Sequence, residues 1–119
     1  MKLSQLKSII TAAALISSTM VLSAEAGSMR GKSGHKASGS ASIAGSTVKL
    51  SSNFKFDGGP DVYVAVKQGG KGVKLLGKLR SNKGAQSYKL PSGTKKSDVD
   101  QIILWCKKYN VALGAASAY

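Results

Sequence analysis

One cysteine, one histidine, one tryptophan and five acidic residues are all that 119 positions offer to metal, acid–base or stacking chemistry. A structural zinc site needs about four Cys or His ligands, and this chain has only His35 and Cys106. A Ser-His-Asp triad needs a positioned histidine, but His35 lies in a small, polar, basic stretch, GSMRGKSGHK. A hydrolase therefore has almost no residue support. Only Arg30 and Arg80 are arginines, where a nucleic-acid reader would supply arginine forks and stacking aromatics; no nucleic-acid partner is expected. With a single cysteine, no disulfide can close within the chain.

Long apolar runs are equally scarce, and the one present has the plan of a secretory leader. Lys2 and Lys7 form a charged front, an apolar run extends from Ile9 to Leu22, and Ala24-Glu25-Ala26 offers small residues at both recognition positions of a cleavage site. The run, about 14 residues softened by Ser17, Ser18 and Thr19, is too short for a comfortable membrane span. The expectation is a cleavable signal peptide over 1–26, cut between Ala26 and Gly27, with no stable transmembrane segment. Export places the protein in a periplasmic or extracellular compartment, where Cys106 meets oxidising conditions without a partner in its own chain.

Cationic residues, by contrast, are abundant. Without Lys2, Lys7 and Glu25 the chain keeps 16 basic and 4 acidic residues, a net charge of +12. The excess is spread thinly, with no block longer than two. Such a surface keeps strand edges from pairing between molecules, and it also attracts anionic partners: a membrane surface, a cell-wall polymer or an acidic protein.

Along the chain, 27–36 reads as a flexible basic arm, and 37–119 as one domain. From Ala37 the period is two. Ala37, Gly39, Ala41 and Ile43 alternate with serines, and after Ala44-Gly45 the run Thr47-Val48-Lys49-Leu50 alternates again, which predicts a hairpin. Phe54 and Phe56 precede a break at Asp57-Gly58-Gly59-Pro60. Val62 to Val66 is the cleanest strand. Beyond the Gly69–Gly72 turn, Val73, Leu75 and Leu79 are expected on one side, with Lys74 and Lys78 opposite. A short run from Gln86 to Leu90 follows. Val99, Ile102, Ile103 and Cys106 also match helical spacing, and Ser97 with Asp100 would suit a capping box. The run Gln101-Ile102-Ile103-Leu104-Trp105-Cys106 is nevertheless dense in β-branched and aromatic residues, and the strand reading is taken. It puts Cys106 on the face of Ile102 and Leu104, with Ile103 and Trp105 opposite. In a closing strand, Tyr109, Val111, Leu113 and Ala115 alternate with Asn110, Ala112 and Gly114. Turns every 8–12 residues between short alternating runs predict an all-β, small, single-domain antiparallel β-sandwich.

Cys106 is the strongest candidate for chemistry. Read blandly, it is a small buried hydrophobe. Read functionally, it is a free thiol in an oxidising compartment, followed by Lys107 and Lys108, whose charge favours the reactive thiolate. Asp57 and Asp61 flank a Gly-Gly-Pro turn and read as turn residues rather than cation ligands.

The stretch from His35 to Tyr119 resembles the DM-thirteen family, also called the electron-transfer DM domain. The matching pieces are Ser38-Gly39; Leu50-x-x-Asn53-Phe54-x-Phe56-Asp57-Gly58-Gly59-Pro60-Asp61-Val62-Tyr63; Leu76-Gly77-Lys78-Leu79; Gln86-x-Tyr88-x-Leu90-Pro91; and Ile103-x-Trp105-Cys106-x-x-Tyr109-x-Val111-x-Leu113-Gly114-x-Ala116. The resemblance implies a sandwich-like fold with a characteristic cysteine near its C-terminal end, here Cys106. It also implies extracellular electron transfer, with that thiol acting directly or as ligand to a prosthetic group such as haem. The chain departs from the family where Ala112-Leu113-Gly114-Ala115-Ala116 replaces an aromatic before the glycine and an acidic residue after it. No companion cytochrome domain is present, so the expected partner is a separate redox protein. The reading is an exported redox domain centred on Cys106, with Trp105 packed beside the thiol and Lys107 and Lys108 tuning it. The alternative is a non-enzymatic module whose basic surface meets an anionic envelope component, with Cys106 merely buried.

Overall fold

Ten strands account for the period-two runs in the computed structural model, which describes residues 27–118. They are β1 (Met29–Gly31), β2 (Ala37–Ser38), β3 (Ala41–Ala44), β4 (Thr47–Leu50), β5 (Lys55–Phe56), β6 (Val62–Lys67), β7 (Val73–Lys78), β8 (Gln86–Lys89), β9 (Gln101–Cys106) and β10 (Val111–Ser117). One sheet has the order β1-β10-β9-β6-β7, another β3-β4-β8, and β2 with β5 makes a short ribbon. All strand pairs are antiparallel. The inner faces of the two larger sheets share one core: Ile43, Val48, Leu50 and Tyr88 from one, Val62, Val64, Val66, Ile102 and Leu104 from the other. Each of the larger aliphatic side chains removed from water here contributes about 1.5–3 kcal/mol. The expected all-β sandwich architecture is what forms. The leader and Ala26 lie outside the described residues, among which no helix is long and apolar enough to cross a membrane.

The expected hairpin forms from β3 and β4, with Ala41 paired to Leu50 and Ala44 to Thr47. The preceding alternation does not continue into it, because Gly39 kinks the chain between β2 and β3. Its φ is +89°, and a Cβ there would lie 2.6 Å from the Phe54 Cα. The ambiguous Gln101–Cys106 segment is the strand β9, flanked on both sides by β6 and β10. A central strand whose inner face meets the other sheet and whose outer face is closed by side chains of its own sheet has little need of polar alternation, hence its apolar density.

Three expectations are corrected. The stretch 27–36 is not a flexible arm. Met29 is 4% exposed and packs in the core, β1 pairs with β10 in the register Met29 to Ala116, and the Lys32 N–H donates to the Leu113 carbonyl (2.9 Å). An edge strand needs only three residues and one buried side chain, too little to show in a composition dominated by glycine, serine and lysine. The other two corrections come from β-bulges, each of which inserts one residue and reverses the in–out parity beyond it. In β7, Val64 faces Gly77 while Ala65 faces Leu75. Leu76 and Leu79 therefore reach the main core, whereas Leu75 joins Ala65 and Ile103 on the outer face. In β10, Ala112 faces Trp105 while Gly114 faces Leu104. Val111, Leu113 and Ala116 consequently point inward, and Ala112 and Ala115 outward.

Candidate functional site

Cys106 ends β9, opposite Val62 of β6 on one side and Val111 of β10 on the other. It is fully buried, in the same cluster as Ile102 and Leu104, as the strand parity requires. The Sγ–H donates to the Pro60 carbonyl at 3.2 Å, and the Tyr109 backbone N–H donates to the sulfur at 3.4 Å. The thiol thus ties together two loops: Asp57–Asp61, which leads into β6, and Lys107–Asn110, which joins β9 to β10. A second tie runs from the Lys107 N–H to the Asp61 carbonyl (3.0 Å). Asp61 and Asn110 take left-handed conformations, with φ +53° and +55°, which their short side chains tolerate better than most.

The Asp57–Asp61 loop also anchors the chain's one histidine. His35 Nδ1 lies 3.0 Å from Asp57 Oδ1, and the His35 ring stacks on Phe56 with centroids 5.8 Å apart. The other Asp57 oxygen accepts the Lys36 N–H at 3.0 Å. That backbone hydrogen bond, with help from His35, holds the Asp57 carboxyl below its ordinary value against the opposing pull of desolvation. Gly59 lets the loop lie against β10, since a Cβ there would come 2.8 Å from Leu113 Cδ1. The histidine and the cysteine therefore bracket a single five-residue loop. Sequence reasoning missed this because His35 sat in the supposed arm; the signal was the Asp57-Gly58-Gly59-Pro60-Asp61 run itself, read only as a turn.

Trp105 does not pack beside the thiol. It belongs to the outer-face cluster with Ala65, Ile103 and Ala115, because adjacent residues of a strand point to opposite faces. The two lysines reach aromatic rings instead: Lys107 Nζ lies 5.5 Å from the Tyr63 centroid and Lys108 Nζ 5.4 Å from that of Tyr109. Tyr109 is 63% exposed.

This environment does not fit Cys106 as a haem ligand. Both sulfur hydrogen bonds end on main-chain atoms of the covering loops, and the remaining surroundings are packed core. A surface hollow of about 450 Å³ is lined by Lys36, Ala37, Ser38, Lys55, Phe56 and Asp57 and does not include the cysteine. Among the described residues, no three His, Cys, Asp or Glu side chains converge as a metal-binding group. What the site holds is a lone thiol under a loop, in a sandwich-like all-β domain.

A sandwich-like fold with a cysteine near its C-terminal end is what the resemblance to the DM-thirteen family implies; burial of the thiol under a loop is not part of that expectation. The family model described as Electron transfer DM13 matches residues 29–118, and the chain belongs to that family. The match begins at β1, in keeping with the structural role of Met29. Comparison with curated proteins and with solved structures gives no match.

Proposed function

We propose that the protein is an exported electron-transfer domain that works with a separate redox partner and uses the Cys106 thiol as its redox-capable group. The observation that carries this reading is the family match across β1 to β10, with the chain's only thiol at the end of β9. No second cysteine exists in the chain, so any disulfide that Cys106 enters is to another molecule. Direct thiol chemistry is preferred to haem ligation, since the packing around the sulfur does not accommodate a haem. Export rests on the leader pattern in 1–26 and sets the working compartment as periplasmic or extracellular.

The resting thiol is closed, so its chemistry requires the Pro60 loop or the Lys107–Asn110 turn to lift. Local openings of this kind are less costly than global unfolding and occur without it. An opening free energy of about 3 kcal/mol would slow alkylation roughly 100-fold relative to the unfolded chain. The test is the alkylation rate of the folded, exported protein against urea at low concentrations. A rate independent of urea, and abolished in Cys106→Ser, is the expected result. A rate that follows the global unfolding curve from the first addition would defeat the proposal.

Complete burial of Cys106 favours a second reading, in which the cysteine only closes the core and the protein is a non-enzymatic basic module for an anionic envelope component. The same urea series separates the two. N-terminal sequencing of the exported protein tests the localisation, with Gly27 as the expected first residue.

A further inference from the structure

The two large sheets differ in what they show to solvent. The outer face of β3-β4-β8 carries Ser42, Thr47, Lys49, Ser87 and Lys89, as expected for a sheet wetted on one side. The outer face of the five-stranded sheet carries instead the row Ala115-Ile103-Ala65-Leu75, with Ala112, Trp105 and Tyr63 alongside. No described element packs over it, yet Ala65, Ile103 and Ala115 are 0–6% exposed because their own neighbours close over them.

We infer that this face is a docking surface for a partner protein that presents an apolar centre ringed by carboxylates. The rim of the patch is cationic. Arg30 stands opposite Ala115, Lys67 opposite Gln101 and Lys78 opposite Tyr63, and Lys107 lies over the Tyr63 ring. The acid at this rim, Asp61, is already engaged by Lys78 at 3.8 Å. A second copy of the chain would set these cations against one another, and like charges across an interface are strongly disfavoured. A lipid surface fits less well, because membrane anchoring needs apolar side chains that reach several ångströms into the headgroup boundary. Here Trp105, Tyr63 and Leu75 are all half-buried, which leaves little apolar surface to insert. An apolar centre with a charged rim is the anatomy of a protein interface, and opposed rim charge steers the encounter. The electron-transfer reading bears only on what kind of partner arrives; docking needs no chemistry from Cys106.

Trp105 is the chain's only tryptophan, so selectively excited tryptophan emission reports on this face. The experiment titrates residues 27–119 with a small acidic ferredoxin, whose cluster edge is ringed by carboxylates. Phosphatidylglycerol vesicles and a self-dilution series run in parallel. The expected result is a saturable change in Trp105 emission with the ferredoxin, at least tenfold weaker in 0.5 M salt. It should be lost in Lys67→Glu/Lys78→Glu and kept in Lys49→Glu/Lys89→Glu. Those two variants change net charge equally but on opposite sheets, so equal loss in both would reduce the effect to bulk charge and overturn the proposal. A response only to vesicles, only to self-concentration, or to none of the three also overturns it. Failure here leaves the alkylation test of Cys106 untouched.

Discussion

Replacing Cys106 with alanine probes how far the thiol holds the two covering loops in place. Two effects add. Removing the sulfur deletes apolar volume from a fully buried position, and with partial collapse of the space left behind this costs about 1–1.5 kcal/mol. The Pro60 carbonyl and the Tyr109 N–H also lose their sulfur partner. Both belong to surface loops that water partly reaches, so each loss costs about 0.5–1 kcal/mol rather than the full penalty of a buried orphan. The expected total is about 2–3.5 kcal/mol, which for a domain of under 100 residues lowers Tm by roughly 10–25 °C. Urea denaturation should show a reduced midpoint with an unchanged slope. Cys106→Ser keeps a donor and an acceptor and Cys106→Val keeps the volume, so each should cost less than alanine. A loss below about 0.5 kcal/mol in Cys106→Ala would refute the reasoning, because the sulfur would then contribute nothing to closing the Pro60 loop.

Met29→Ala should cost about 2 kcal/mol in thermal or urea unfolding, the low end for a buried methionine because β1 is an edge strand; a flexible arm would show no effect. Gly39→Ala should destabilise well beyond Gly93→Ala, since both positions have φ near +90° but only at Gly39 would the new Cβ meet backbone; equal losses would show that the kink at Phe54 yields. Asp57 is held more acidic in the fold than in the unfolded chain, so its contribution is present above about pH 4 and is lost as pH falls through the lower folded value. Stability of Asp57→Asn against pH should accordingly be flatter below pH 4 than that of the parent chain, and parallel curves would remove Asp57 from the acid limb.

Much of the architecture was legible in the chain because a half-buried strand leaves a local record. Alternation marked β3 and β4, the run Val62 to Val66 marked β6, Ala44-Gly45 and the glycines of 69–72 marked turns, and the parity of Gln101–Cys106 put Cys106 with Ile102 and Leu104. Composition argued against zinc, triad and nucleic-acid readings. What it could not carry were facts that exist only between strands. The bulges at Leu76 and Leu113 reverse parity because a partner strand skips one residue, and nothing in the skipped residue announces it. Met29 is core because β10 lies beside it. His35 meets Asp57, and the Cys106 thiol meets Pro60, across loops brought together by the closing of β6 against β9. The exposure of Cys106 was likewise undecidable from its neighbours Lys107 and Lys108, whose charge advertises the surface. The sulfur lies beneath Pro60, 46 positions away in sequence, and long-range packing of that kind is decided only when the sheets close.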